Sequence, residues 1–268
     1  MLEILLLFAF FTSIGSFSSL VIHRLPIIES GNKSISLISP RSYCPHCEQT
    51  LPIKSLIPIF SFIIYQGKCS ICHEKIAISY LVNEFIHLLV GGAIFYYLGL
   101  TPMFIFTYLI FSLLFILLIL DFKYLYLPIL INLMFVLVGM VGNIYFELFI
   151  PSLDGIIKIS IVEQVLLGFV LGYLSLWLIN TMYKIFKKKD GIGGGDFILF
   201  GGIGTVLGPF ILPLIMLMGS LFSIAFYIIN IRKNIESNEI PLGSGLICGF
   251  FMYVIIKFFE LNISLIVS

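Results

Sequence analysis

The chain has 268 residues, of which 60% are hydrophobic and 11% charged, and its mean hydropathy is +1.14. Soluble domains usually carry about 45–50% apolar and ~25% charged residues, so this composition excludes a soluble protein and predicts an all-α protein that crosses the bilayer several times. The net charge of +1, without a basic stretch interleaved with aromatics, predicts no nucleic-acid partner.

Apolar runs along the chain predict about eight transmembrane helices, because about 20 residues cross a bilayer. The runs are 2–22, 79–98, 102–120, 127–148, 159–185, 197–231 and 242–256. The sixth run is longer than one crossing needs, and Pro209 and Pro213 predict that it divides into a hairpin of two short helices. The first run lacks a charged leader and a small-residue cleavage site, so we expect a retained helix.

The basic residues indicate how these helices are oriented. Of the 15 lysines and arginines, 13 fall in the loops after the first, third, fifth and seventh helices, and only Lys158 and Lys257 fall elsewhere. Basic residues in short loops are retained in the cytoplasm. We therefore expect both termini to lie outside and the loops that carry Asp121, Asp190 and Asp196 to face the cytoplasm.

Residues 23–78 form the one long stretch without a membrane-spanning pattern, and they contain four of the five cysteines. The motifs are Cys44-x2-Cys47 and Cys69-x2-Cys72, with 21 residues between them. Two such turns can direct four thiolates at one tetrahedral Zn²⁺. A closed site of this kind leaves no position for water, so we expect the zinc to be structural.

Other interpretations of these cysteines are two disulfides, a redox C-x-x-C pair or unconnected thiols. Disulfides are disfavoured in a reducing compartment, and a redox pair needs a βαβ context that the loop is too short to supply. His46 and His73 could substitute as ligands, although solvated surface histidines are the simpler interpretation. Cys248 lies alone in the last run, where we interpret it as a small buried hydrophobic residue.

Two aspartates are expected at the same membrane edge. Asp121 ends the third run and Asp196 begins the sixth, while Glu84 lies about one turn into the second. A helix N-terminus favours Asp196, but a helix C-terminus is electrostatically unfavourable for Asp121. If the two carboxylates share a proton, one can activate water while the other donates to a peptide carbonyl. Interfacial caps and proton-coupled transport are the alternatives.

A run of glycines precedes the second aspartate, in the sequence GIGGGD. Gly193 and Gly195 expose backbone without side chains, so an extended peptide could approach Asp196 closely. A flexible turn at the entry to a helix is the alternative.

Several segments in order resemble the type IV prepilin peptidases, which are membrane aspartic proteases of the G-x-G-D type. The matching stretches are GSFSSLVIHRLP, the cysteine loop, ISYLVNEF with Glu84, Asp121 with Pro128, GIGGGD with Asp196, and EIPLGSGLICG. The chain departs from the family pattern at Leu81, Ile129 and Ile198, which replace an expected proline and two polar residues. Neither catalytic aspartate is affected.

The resemblance implies a bacterial inner-membrane enzyme with catalytic Asp121 and Asp196, an active-site loop with Gly193 and Gly195, and a contribution of Glu84 to substrate binding. Its substrates would be prepilins or pseudopilins, cleaved at the cytoplasmic face. It also implies N-methylation of the new terminus with S-adenosylmethionine, for which no methyl-donor motif is readable.

The corresponding domains are a first helix at 1–22, a cytoplasmic zinc-binding loop at 23–78 and a protease core at 79–268. The competing hypotheses are a transporter or zinc-stabilised membrane scaffold that uses both aspartates as ion or proton ligands, and a thiol oxidoreductase. A transporter predicts inverted repeats with interrupted helices, and the two halves of the chain do not correspond in this way. An oxidoreductase needs reactive thiols, which zinc-bound thiolates largely are not.

Overall fold

The computed structural model describes residues 2–31, 34–150, 159–232 and 240–267. Within these ranges the chain forms helices and no strands, which confirms the predicted all-α class. The helices are α1 (Leu2–Glu29), α2 (Phe60–Ile64), α3 (Ser79–Leu98), α4 (Pro102–Tyr124), α5 (Ile129–Phe146), α6 (Ile161–Lys187), α7 (Gly194–Leu207), α8 (Leu212–Arg232) and α9 (Leu242–Val267).

Six of these helices, α1, α3, α4, α5, α6 and α8, are long and apolar enough to cross a membrane. Two shorter apolar helices, Gly194–Leu207 and Leu242–Phe258, complete a set of eight in the described part of the chain. The protein is therefore a polytopic membrane protein, and the count of eight crossings stays a prediction.

The predicted division of the sixth run is confirmed. Helix α7 ends at Leu207, Gly208 follows with a φ of +78°, and a 3₁₀ turn at Pro209–Ile211 leads into α8. Glycine adopts this left-handed conformation without a steric cost. The first helix, in contrast, continues to Glu29, seven residues beyond the predicted end. A helix can extend past its apolar residues when the polar side chains that follow have hydrogen-bond partners.

The chain divides into two compact units, Met1–Phe104 and Ile105–Ser268. Helix α3 therefore belongs with α1 in the first unit, whereas the predicted boundary at residue 78 grouped it with the protease core. The functional boundaries at 22 and 78 stay predictions.

In the first unit, α1 and α3 pack in antiparallel directions through small residues. A Cβ on Gly91 would lie 2.4 Å from the ring of Phe11, and a Cβ on Gly15 would lie 2.6 Å from the backbone of Glu84. Small residues let membrane helices approach closely. The later residues of α1 therefore lie beside the earlier residues of α3.

In the second unit, close glycine contacts surround the short helix α7. Gly168 and Gly172 of α6 face α7, and a Cβ on Gly204 would lie 2.0 Å from the carbonyl oxygen of Gly168. On the other side, a Cβ on Gly202 would lie 2.7 Å from the ring of Phe135 in α5. These contacts leave α7 little freedom to shift, so they fix the position of its N-terminus and of Asp196.

Candidate active site and metal centre

Asp121 lies in the last turn of α4 and is buried. Its Oδ2 atom accepts two hydrogen bonds from Ser244, from the backbone N–H at 2.5 Å and from the hydroxyl at 2.7 Å. Ser244 is the third residue of α9, where backbone N–H groups have no partner within the helix. The start of α9 therefore offsets the unfavourable position of Asp121 at the end of α4.

Asp196 is the third residue of α7, as its sequence position predicted, and its backbone N–H donates to the Gly193 carbonyl at 3.1 Å. The backbone of Gly243 and the carboxylate of Asp121 both lie close enough to Asp196 to act on it electrostatically. The Oδ1 atom of Asp196 is buried and has no hydrogen-bond partner among the described residues. An orphan carboxylate oxygen in such a place is suited to hold a water molecule or a proton.

Gly243, the second residue of α9, packs against Asp121. A Cβ at this position would lie 3.2 Å from Oδ2 of Asp121 and 2.8 Å from Cδ1 of Leu127. A residue without a side chain lets the α9 backbone approach Asp121 and Leu127 this closely. The structure thus brings Asp121 and Asp196 to one helix N-terminus.

The predicted glycine loop has two different parts. Gly193 and Gly194 are exposed, and a Cβ on Gly194 would meet no described atom within 4 Å. A Cβ on Gly195 would instead lie 2.7 Å from Cβ of Leu127. Gly195 therefore packs closely against Leu127, the more open backbone lies at Gly193 and Gly194, and a role of Gly193 and Gly195 in peptide approach stays a prediction.

Asn180 holds the loop that leads into these glycines. Its Oδ1 accepts from the backbone N–H groups of Gly191 and Ile192 at 2.8 and 3.0 Å, and its Nδ2 donates to Asp190 at 3.0 Å. Lys184 forms an ion pair with Asp190 at 3.0 Å and lowers the pKa of that exposed carboxyl. The loop therefore enters α7 in a defined conformation.

Sequence reasoning missed Ser244, Gly243 and Asn180, together with Asn132, whose Nδ2 donates to the Gly195 carbonyl at 3.3 Å. Two signals could have found them. The motif PLGSG was noticed without a role for its residues, and an asparagine inside an apolar helix needs a polar partner.

The four predicted cysteines of the loop come together. Their sulfur atoms all lie within 4.8 Å of one another, and the Sγ atoms of Cys44 and Cys72 are 3.8 Å apart. Zn–S bonds of about 2.3 Å in a tetrahedron place sulfurs about 3.8 Å apart. The site fits Zn²⁺ better than two disulfides, and all five cysteines are free in the described chain.

The two C-x2-C turns have the same construction. In each, the N–H of the first cysteine donates to a carbonyl five residues on, and the residue four positions on has a positive φ. The equivalent pairs are Cys44–Gln49 with Glu48, and Cys69–Glu74 with His73. The backbone of Cys47 is the main cause that lowers the pKa of the Cys44 thiol to about 7, whereas burial and the three neighbouring sulfurs raise the pKa of Cys72 to about 12. Neither His46 nor His73 belongs to the cluster.

Glu84 lies in the first unit, buried in α3. Its Oε2 accepts from the backbone N–H of Ile59 at 2.7 Å. The carboxylate thus joins α3 to the cysteine loop, and a role in substrate binding stays a prediction.

Comparisons with known proteins match two parts of this chain to family models. The Bacterial Peptidase A24 N-terminal domain matches residues 10–98, and the Type IV leader peptidase family matches residues 108–229. Proteins called prepilin leader peptidase/N-methyltransferase are similar along most of their length. That of Vibrio cholerae is 30% identical over 93% of this chain and 94% of its own, and that of Pseudomonas aeruginosa is 31% identical over 86% and 82%. No solved structure matches the chain significantly.

Proposed function

Because the chain belongs to the type IV leader peptidase family, we propose that it is an aspartic endopeptidase that removes the leader peptide from type IV prepilins or pseudopilins. The observation that carries this proposal is the pair Asp121 and Asp196 at the start of α9, where one carboxylate oxygen is doubly hydrogen-bonded and another is buried without a partner. Carboxylates with a purely structural role would have hydrogen-bond or ionic partners at all of their buried oxygens.

The different surroundings of the two acids support different roles. Two donors from Ser244 stabilise and orient an ionised Asp121, which suits it to accept a proton from water. Asp196, beside this negative charge and without a donor at Oδ1, is suited to carry the shared proton and to donate it to the scissile carbonyl oxygen.

In this mechanism the water oxygen bonds to the carbonyl carbon as Asp121 takes its proton and Asp196 protonates the carbonyl oxygen. The tetrahedral gem-diol intermediate then collapses: the C–N bond breaks, the leaving nitrogen takes the proton held by Asp121, and one hydroxyl of the intermediate returns its proton to Asp196, which restores the starting state of both acids. The exposed backbone of Gly193 and Gly194 would let the extended leader pass close to Asp196.

We assign the four clustered cysteines to a structural Zn²⁺ ion. A site with four thiolates has no open position for a substrate or water, so hydrolysis depends on the aspartates alone. The names of the relatives also support N-methylation of the new N-terminus, with S-adenosylmethionine as the expected donor. No residue of this chain is assigned to that second reaction.

The protein lies in the bacterial inner membrane as a multi-pass protein. We propose that the cysteine loop and both aspartates face the cytoplasm and that both termini lie outside, as the basic residues predict. Reporter fusions after Lys187 and in the cysteine loop should report a cytoplasmic location, and a Lys187 fusion found outside would overturn the orientation.

The proposed activity is tested by incubating the purified protein with a prepilin in detergent or vesicles and measuring the mass of the product. We expect loss of the leader with the wild-type chain. The transporter alternative gains no support from these relatives, which are peptidases by name. It would replace the proposal if no prepilin were cleaved while both aspartates were needed for ion flux.

A further inference from the structure

The segment between the two cysteine pairs is unexpectedly apolar for a loop at a membrane surface. In residues 51–65, ten of fifteen side chains are hydrophobic and only Lys54 is charged. Several of these side chains are exposed, among them Ile53, Ile63 and Ile64 at 73%, 63% and 68%. An exposed apolar surface of this kind is typical of a face that contacts protein or lipid and not water.

Contacts with α1 and α3 show how far this segment reaches. The ring of Phe60 lies 5.8 Å from the ring of Phe8, whereas Arg24, on the same helix, donates to loop carbonyls at Ser36 and Pro40. Arg24 follows Phe8 by sixteen positions in the helix, a distance of about 24 Å along the axis. Phe60 therefore lies beside the apolar part of α1, a helix long enough to cross the roughly 30 Å hydrocarbon core of a bilayer.

The tip of the segment is a tight turn at Ile59. Its φ is +61°, and the N–H of Phe60 donates to the carbonyl of Pro58 at 2.6 Å. A γ-turn with positive φ is rare and strained, above all for a β-branched residue. The buried carboxylate of Glu84 accepts the N–H of Ile59 at 2.7 Å, so a side chain within the α3 span holds the strained tip.

The backbone beyond the tip is largely satisfied within the segment. The N–H groups of Ser61, Ile63 and Tyr65 donate to carbonyls four residues earlier, and that of Gly67 donates to Phe62. In hydrocarbon each unpaired backbone group costs several kcal/mol, and non-helical backbone is tolerated only against protein. A short helix that follows a turn bonded to Glu84 meets both conditions.

The cysteine cluster closes the base of this segment. Thr50, which pairs with Tyr43 in the first turn, directly precedes it, and Lys68, which pairs with Lys75, ends it. Ser55 also donates to Ser70 at 2.9 Å, which ties one leg to the second turn. A metal held by all four thiolates would therefore hold the two legs of a hairpin together.

We propose that residues 51–68 form a hairpin that inserts into the bilayer beside α1 and α3, with the metal-bound cysteine cluster clamping its base at the membrane surface. The occupant of the exposed apolar face is lipid. The exposed side chains of the segment continue the apolar surface of α1, where Leu5 and Leu6 are 60% and 62% exposed. The proposed orientation of the helices determines only which leaflet of the bilayer the hairpin enters. The hairpin proposal does not depend on the proposed peptidase activity.

Tryptophan fluorescence in vesicles tests this placement without any substrate. The single tryptophan, Trp177, is replaced by phenylalanine, and Ile63→Trp is introduced into that background. The matched control is Ile38→Trp, because Ile38 is an isoleucine of the same loop that is 92% exposed and lies outside the hairpin. Each protein is reconstituted into phosphatidylcholine vesicles with brominated acyl chains, and its metal content is measured to show that the loop is folded.

We expect the Ile63→Trp protein to emit at short wavelength, to lose most of its emission to brominated lipid and to resist aqueous iodide, with the Ile38→Trp protein behaving oppositely. Iodide quenching of both proteins alike would overturn the proposal. A blue shift at position 63 only after a prepilin is added would also overturn it, because the face would then bind substrate.

Two further measurements test the supports of the hairpin. Glu84→Ala should make the tryptophan at position 63 accessible to iodide, whereas Glu84→Gln, which keeps a carbonyl acceptor for Ile59, should not. Chelation of the metal should likewise expose it. If brominated lipid quenches equally before and after chelation, the cluster is not the clamp.

Discussion

The cysteine cluster and the aspartate pair differ in how completely their polar atoms are used. Four sulfur atoms converge from two turns of the same construction, and each is directed at a common centre. At the aspartates the surroundings are unequal, because Oδ2 of Asp121 receives two hydrogen bonds and Oδ1 of Asp196 receives none among the described residues. The first site is closed and the second is open.

This difference separates stability from chemistry. A closed site gains its free energy from ligands that are all engaged, so it holds the chain and offers no atom to a substrate. An open site leaves a buried polar atom unsatisfied, which costs free energy but keeps that atom available for water and protons. The following predictions test this distinction, from the largest expected effect to the smallest.

The largest effect should come from removing a thiolate. Structural zinc sites bind with on the order of 10 kcal/mol of free energy that is also folding energy, so Cys44→Ser should lose the metal and expose the cysteine loop to proteolysis. Cys248→Ser is the control, because Cys248 lies outside the cluster. Metal analysis should give about one zinc for the wild type and the control. Full zinc in Cys44→Ser would refute a four-thiolate site.

Substitution by alanine should affect cleavage differently at the adjacent glycines Gly194 and Gly195. A Cβ at Gly195 would lie 2.7 Å from Cβ of Leu127, whereas one at Gly194 would meet nothing within 4 Å among the described residues. Overpacking typically costs about 1–3 kcal/mol, so Gly195→Ala should displace Asp196 and slow cleavage about tenfold or more, while Gly194→Ala keeps most activity. Equal losses would indicate that both glycines serve peptide approach.

Ser244 should act as a positioning residue for Asp121. Hydrogen bonds to charged groups are worth about 1.5–3 kcal/mol, so Ser244→Ala should lower kcat about tenfold or more with little change in KM, and Ser244→Thr should restore it. Ser112→Ala is the control, because that buried hydroxyl donates to the Tyr108 carbonyl of its own helix at 2.9 Å. A change in KM alone, or no recovery with threonine, would show that Ser244 does not orient Asp121.

The smallest effect concerns the turns of the closed site. Glu48 and His73 have φ values of 56° and 60°, which cost an L-residue roughly 1–2 kcal/mol relative to glycine. Glu48→Gly should therefore strengthen zinc retention up to about tenfold, whereas Gln49→Gly, at a position without a positive φ, should not. Competition with a chelator measures both. Weaker retention in Glu48→Gly would mean that the Glu48 side chain supports the site.

The two sites also differ in how much of them could be predicted from sequence. Each cysteine turn is local, since its two ligands lie three positions apart, so the spacing predicted the cluster that the structure confirms. The aspartates were identified as residues, but their environment depends on Ser244, which follows Asp121 by 123 positions. The hydrophobic periodicity of a sequence carries no information about a contact between residues so far apart in the chain.

The helices themselves were mostly predictable, because hydropathy reports burial in lipid directly. The end of α1 was not, because Arg24 continues the helix by donating to carbonyls of Ser36 and Pro40, which only the folded loop brings near. The glycine packing around α7 could not be predicted either. Gly204 and Gly168 are in close contact, but nothing in the sequence distinguishes glycines that pack against each other from glycines that do not.

The most direct test of the account is the rate of prepilin cleavage by Asp121→Asn, Asp196→Asn and the double variant, each shown to contain zinc. Asparagine keeps the shape and removes the ionisable proton, and residues that act as a unit are strongly non-additive. We predict that each single variant loses cleavage, that the double variant is little worse, and that all three retain wild-type zinc. Near wild-type cleavage by either single variant would contradict the aspartyl mechanism.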